Sequence, residues 1–138
     1  MDHDIAWLLA RTNIRELTAR YNRCFDSGDA DGFAATFVED GVMEIAGGPA
    51  YTGREALAEM CRRTPSGIMH VTVDATVEVA GDHATQLVNV LILGRPSSRD
   101  TKPDVRNTGR YVDDLVATEG TWRFSRRRAY LDGWASSQ

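Results

Sequence analysis

Cysteine is scarce in this chain, with only Cys24 and Cys61 among 138 residues. They allow at most one bridge, and neither stands in a C-x-x-C or similar ligand spacing. No metal site is expected, and both read as free thiols in a reducing cytoplasm. Long apolar runs are absent too: none, Val90–Leu93 included, is long enough to span a bilayer, so no membrane partner is expected. The start, Met1-Asp2-His3-Asp4, lacks the basic and apolar regions of a secretory signal, which makes a cytoplasmic location the expectation. The basic residues form no stripe interleaved with aromatics, and the net charge is −4. Both facts argue against nucleic acid as a partner. Biased tracts and internal repeats are missing as well. With 42% hydrophobic and 26% charged residues, residues 1–138 read as one globular domain.

What is there is periodicity. Ile5, Leu8, Leu9, Leu17, Tyr21, Cys24 and Phe25 recur at helical spacing and predict an amphipathic helix over about 3–27. Gly28 is its natural terminator, and Asp29 can cap a second helix over Ala30–Phe37. A short strand is expected at Val42–Ile45. Thr52-Gly53-Arg54-Glu55 has the form of a capping box opening a third helix to about Arg63. The period then changes to two. Strands are expected over Met69–Val79, Ala84–Leu93, Val105–Thr118 and Thr121–Asp132, with turns at Gly81-Asp82 and Glu119-Gly120. Helices first and a meander after them give an α+β class, three helices packed on one face of a strongly curved, mostly antiparallel sheet. Such a sheet tends to enclose an apolar cavity, the default ligand site.

Five residues are candidates for chemistry. Asp26 lies in the last turn of the first helix, where the macrodipole disfavours a carboxylate; it is either a solvated helix end or a pocket-edge acid. Tyr21, five residues earlier, is about 140° away around the helix, so the two share no stripe. It packs as a core ring or borders the same cavity. By plain alternation His70 shares a face with Thr72, Asp74 and Glu78, in solvent; one bulge would reverse that parity and turn inward the side chain best suited to moving protons near neutral pH. Asn89 interrupts an apolar run, so its amide is either satisfied by the framework or aimed at a ligand. In the last strand Trp122, Phe124 and Tyr130 share one parity, with Trp122 and Tyr130 offering an outer aromatic patch. Arg123 and Arg127 share the other parity and read as residues of an exposed sheet face, since burying an arginine is costly unless it is paired.

Order and spacing carry a resemblance over nearly the whole chain. Ile14 to Asp29, Phe37-Val-Glu-Asp40-Gly41, Thr52-Gly-Arg-Glu55, the His70 strand, Gly109-Arg-Tyr111-Val-Asp113 and Gly120-Thr-Trp122-Arg-Phe124 with Arg127 together resemble the SnoaL-like branch of the NTF2-like superfamily. The resemblance implies a cone-shaped half-barrel. Within the superfamily the pattern is closest to dehydratase-type members: bile acid 7α-dehydratase, scytalone dehydratase and hexachlorocyclohexane dehydrochlorinase. By that likeness His70 is the base, Asp26 its partner, and Arg127 a pocket residue. Two departures stand out. An acid that the bile acid enzyme carries in the strand matching Ala84–Leu93 is absent, and scytalone dehydratase's second histidine has no clear match. The substrate therefore does not transfer.

The expectation is a cofactor-independent lyase, catalysing a dehydratase-type β-elimination on a small, largely apolar molecule. His70 and Asp26 act as general base and orienter, with Tyr21, assisted by Arg127 or Asn89, donating to the departing oxygen. The alternatives are an isomerase or polyketide-type cyclase run by a carboxylate, or a non-catalytic binding module. A homodimer, or else a homotrimer, joined through outer sheet faces is expected.

Overall fold

The computed structural model describes residues 2–135. Met1 and the end of the small, polar tail, 136–138, lie outside the described residues. Helix α1 (His3–Ser27) is opened by Asp2, whose carboxylate accepts from the Asp4 amide at 2.8 Å. Gly28 closes it at φ 78°, a left-handed conformation that costs glycine little. Ala10, Ile14, Leu17 and Tyr21 form its buried stripe, spaced so that one face meets the sheet. Ile5, Leu8 and Leu9, expected to extend that stripe, are exposed.

Helix α2 (Ala30–Ala34) is capped by Asp29, which accepts from the Gly32 amide. It is shorter than the apolar spacing predicts. The Phe124 amide donates to the Thr36 carbonyl at 2.9 Å, so sheet pairing takes the chain and Phe37 opens strand β1 (Phe37–Ile45). A three-residue strand, β2 (Ala50–Thr52), pairs back on β1 and was not anticipated. Because Thr52 is used there, the expected capping box does not form. Gly53 is the N-cap of α3 (Arg54–Arg63), without a side-chain cap bond.

Strands β3 (Ile68–Ala80), β4 (His83–Gly94), β5 (Asp104–Thr118) and β6 (Thr121–Leu131) form the antiparallel meander, and a short helix α4 (Asp132–Ala135) follows. The β5–β6 turn has Glu119 at φ 53° and Gly120 at φ 79°, the left-handed pair that suits a two-residue hairpin. The strand order is β2-β1-β6-β5-β4-β3, with β1 lying parallel to β6. The sheet curls without closing, and the helices pack on it.

Two bulges set which side chains face inward. In β3 the register moves from Val73 opposite Asn89 to Thr76 opposite Leu87, so Asp74 and Ala75 together face Val88. Asp74 adopts φ 57° there. In β6 the register moves from Arg126 opposite Asp114 to Phe124 opposite Leu115, leaving Ser125 as the extra residue. Its hydroxyl donates to the Asp114 carbonyl at 3.0 Å. An extra residue reverses inside and outside along the rest of a strand. His70 and Val77 are therefore both buried, as are Trp122, Phe124, Arg127 and Ala129. This corrects the expected outer patch, since Trp122 belongs to the core, and it corrects the exposed placement of Arg127.

Candidate functional site

The side chains of α1 leave a groove of about 1090 Å³ against β3, floored by Gln86 and Val88 of β4. Asp26 and His70 line one end of it. Asp26 is placed by the last turn of α1 and His70 by the third residue of β3. The His70 Nδ1 lies 2.6 Å from Asp26 Oδ1, and the His70 amide donates to the other carboxylate oxygen at 2.9 Å. Both carboxylate oxygens are thus engaged by one residue, which fixes the acid relative to strand and ring alike. The two side chains are only 6% and 9% exposed, so bulk water screens the pair weakly. Phe25 and Tyr21 pack edge-on against the imidazole with ring centroids 4.9 and 6.4 Å away. With Nδ1 held by the acid, Nε2 is the nitrogen that can exchange a proton with a guest.

Tyr21 lies elsewhere. Its ring is buried among Phe33, Phe37, Tyr111 and Phe124, and its hydroxyl meets the Met43 sulfur at 3.8 Å. Burial raises its pKa, against the opposing pull of the Arg127 charge. It is a neutral core phenol behind the imidazole and does not line the groove. The expected role as a donor to a departing oxygen does not fit that position.

Arg127 is a core strut as well. Its Nε and Nη2 donate to the two oxygens of Asp113 at 2.7 and 2.8 Å, and both side chains are fully buried. The guanidinium carbon lies 3.9 to 4.3 Å from the ring centroids of Tyr111, Phe124 and Tyr21. Burial alone would lower its pKa; the paired carboxylate outweighs that, and the net shift is upward. Gln86 joins the pair to the groove wall, donating to Asp113 at 2.9 Å and to the Thr18 hydroxyl at 3.1 Å. Arg127 therefore stands one layer behind the groove and does not line it. Asn89 is corrected more simply: it is exposed on the outer face of β4, between inward-facing Val88 and Val90, so its amide points away from any ligand held there.

The structure brings together residues that the sequence reading missed. Asn22, one helical turn before Asp26, lines the groove with its amide nitrogen 3.1 Å from the Thr72 hydroxyl. Four residues is about 40° around a helix, a stripe that could have been read beside Asp26. Asp113 left no such signal, because only the bulge at Ser125 makes Arg127 its inward partner. The groove is also more polar than the expected apolar cavity, with arginines, threonines and Gln86 among its lining. Among the described residues, no group of three or more His, Cys, Asp or Glu converges as metal ligands would, and no helix is long and apolar enough to cross a membrane.

Comparison with known proteins agrees with the fold and the chain pattern. A search of the curated proteins finds no match. Among solved structures, an NTF2-like protein with a cystatin-like fold from Novosphingobium aromaticivorans is 31% identical, with a TM-score of 0.85 over 96% of this chain and 89% of that one. Rv3472(D26N), a protein of unknown function from Mycobacterium tuberculosis, is 30% identical, with a TM-score of 0.86 over 96% of this chain and 77% of that one. LinA, a hexachlorocyclohexane dehydrochlorinase, shares the fold at 21% identity, with a TM-score of 0.80 over 94% of this chain and 90% of that one. The SnoaL-like domain family matches residues 6–128, and the chain belongs to that family.

Proposed function

We propose that this protein is a cofactor-independent lyase that eliminates a leaving group from a small organic substrate, with His70 as base and Asp26 as its orienter. The observation that carries the reading is the 2.6 Å contact between His70 and Asp26 at the wall of a groove large enough for a guest. Nε2 takes a proton from carbon, the C–H electrons form the new double bond, and the adjacent carbon–oxygen or carbon–halogen bond breaks with its pair. Asp26 keeps the proton of Nδ1 in place and stabilises the imidazolium that results. A general base of this kind contributes roughly a hundred- to ten-thousand-fold in rate. Fold likeness to a dehydrochlorinase is compatible with this chemistry and is no more than that.

A carboxylate-driven isomerase or cyclase would pair Asp26 with Tyr21 and leave His70 outside. The buried phenol and the histidine–aspartate contact favour elimination over that reading, and over a non-catalytic module. The test begins with a thermal-shift screen over steroids, aromatic polyketides and halogenated hydrocarbons, since ligands that bind the native state raise its melting temperature. Turnover of the hits is then followed in the wild type, His70→Ala and Asp26→Asn. The expected result is a loss of at least about a hundredfold in His70→Ala. Equal rates in all three proteins would end the proposal.

A further inference from the structure

The charge of the groove runs against the charge of the molecule. The chain carries a net −4, yet Arg11, Arg15, Arg23 and Arg95 line the groove against only Asp26 and Asp74. Asp26 is already committed to His70. Arg11 is occupied too, donating to the Val77 carbonyl at 3.0 Å and lying 4.6 Å over the Trp7 ring. Arg15, Arg23 and Arg95 have no carboxylate partner among the described residues. Two of these stand at the catalytic end. Arg23 precedes Asp26 by three positions on α1, and the Arg95 amide donates at 2.7 Å to the Gly67 carbonyl, just before β3 begins.

Asn22 supplies an independent observation at the same end. It is 8% exposed, and its Oδ1 is buried without a partner. Turning the amide over does not help: Thr72 would then donate to Oδ1, and the NH₂ would be left over instead. Either way a buried amide among the groove's lining residues has one unused end, and that is costly unless a guest completes it.

We propose that the groove takes an amphipathic anion. Its apolar body lies between α1 and β3, a hydroxyl or carbonyl oxygen beside the dyad bonds Asn22, and a carboxylate or phosphate is held by Arg23 and Arg95. This rests on the reading of His70 as a base acting in this groove, and it replaces a purely apolar substrate with one anchored by charge. Guanidinium suits both anions because it offers two parallel donors.

The test is calorimetric titration of two ligand series, one built on β-hydroxydecanoate and one on hydroxynaphthoate. Each contains the acid, its methyl ester, its phosphate counterpart and the acid lacking the hydroxyl. The acid or the phosphate should bind at least about tenfold more tightly than the ester, with an advantage that shrinks as salt is added. The stronger of the two identifies the anion. The double variant Arg23→Gln/Arg95→Gln should lose that preference, while Asn22→Leu should keep it and bring the hydroxy acid down to its deoxy analogue. Esters that match their acids, a preference that survives the arginine changes, or no binding by any acid at millimolar concentration would each overturn the proposal. Binding is read without turnover, so the two readings fail separately. Acid preference with equal turnover of screen hits in the wild type, His70→Ala and Asp26→Asn sinks the elimination alone, and base-dependent turnover of neutral substrates without acid preference sinks this proposal alone.

Discussion

Arg127 shows how costly a single residue can be and how the fold meets the cost. A guanidinium with no exposed surface survives because Asp113 takes two of its donors and three rings flank its faces. Asp113→Asn should therefore destabilise the protein by about 3–5 kcal/mol, read as a lower urea midpoint, because it leaves the charge buried and uncompensated. Tyr21 and Tyr111 carry a second consequence. Burial raises the pKa of both above the ordinary 10.0. The folded state then holds protons that the unfolded chain has released. Stability from these phenols is complete below about pH 10 and falls as pH climbs toward their folded values, by about 1.4 kcal/mol per pH unit for each. Chemical denaturation between pH 9 and 12 should show that decline, and Tyr111→Phe should flatten it. A stability flat through this range would contradict the assignment.

At the scale of elements, the two bulges do more than the strands they interrupt. Alternation alone puts His70 in solvent and Arg127 on an exposed face; one extra residue in each strand reverses both. In β3 the extra residue comes with Asp74 at φ 57°, a conformation that aspartate tolerates and branched side chains do not. Asp74→Gly should be neutral or stabilise by up to about 1 kcal/mol, whereas Asp74→Val should destabilise by more than that. Deleting Ala75 restores plain alternation, so one part of this edge strand must turn over. If Val77 keeps its place in the core, His70 swings outward, and turnover of an identified substrate should vanish while far-UV circular dichroism is retained. The helices were legible because spacing and caps are local properties. The end of α2 and the start of β1 were not, because Phe124, far along the chain, captures Thr36.

At the scale of the whole molecule, the outer sheet surface is incompletely covered. Met69 and Val105 flank Leu93 across three strands, and Val73 and Leu87 lie nearby; Met69, Val73, Leu87 and Val105 are all exposed. An apolar patch of this kind is characteristic of an association surface. Sedimentation velocity should find a dimer or trimer, and Val73→Lys with Leu87→Lys should shift it to monomer without changing the fold. A monomeric wild type would remove this prediction.

The sequence alone determined the three main helices, the long strands, their order and the α+β class, because periodicity and turn residues act over a few neighbours; the short β2 and α4 escaped it. It also nominated Asp26 and His70. Which candidates meet was decided only in three dimensions. Bulge placement, the Asp113–Arg127 pair and the orphaned Asn22 oxygen depend on contacts between residues 11 to 50 positions apart, and no local pattern carries that information.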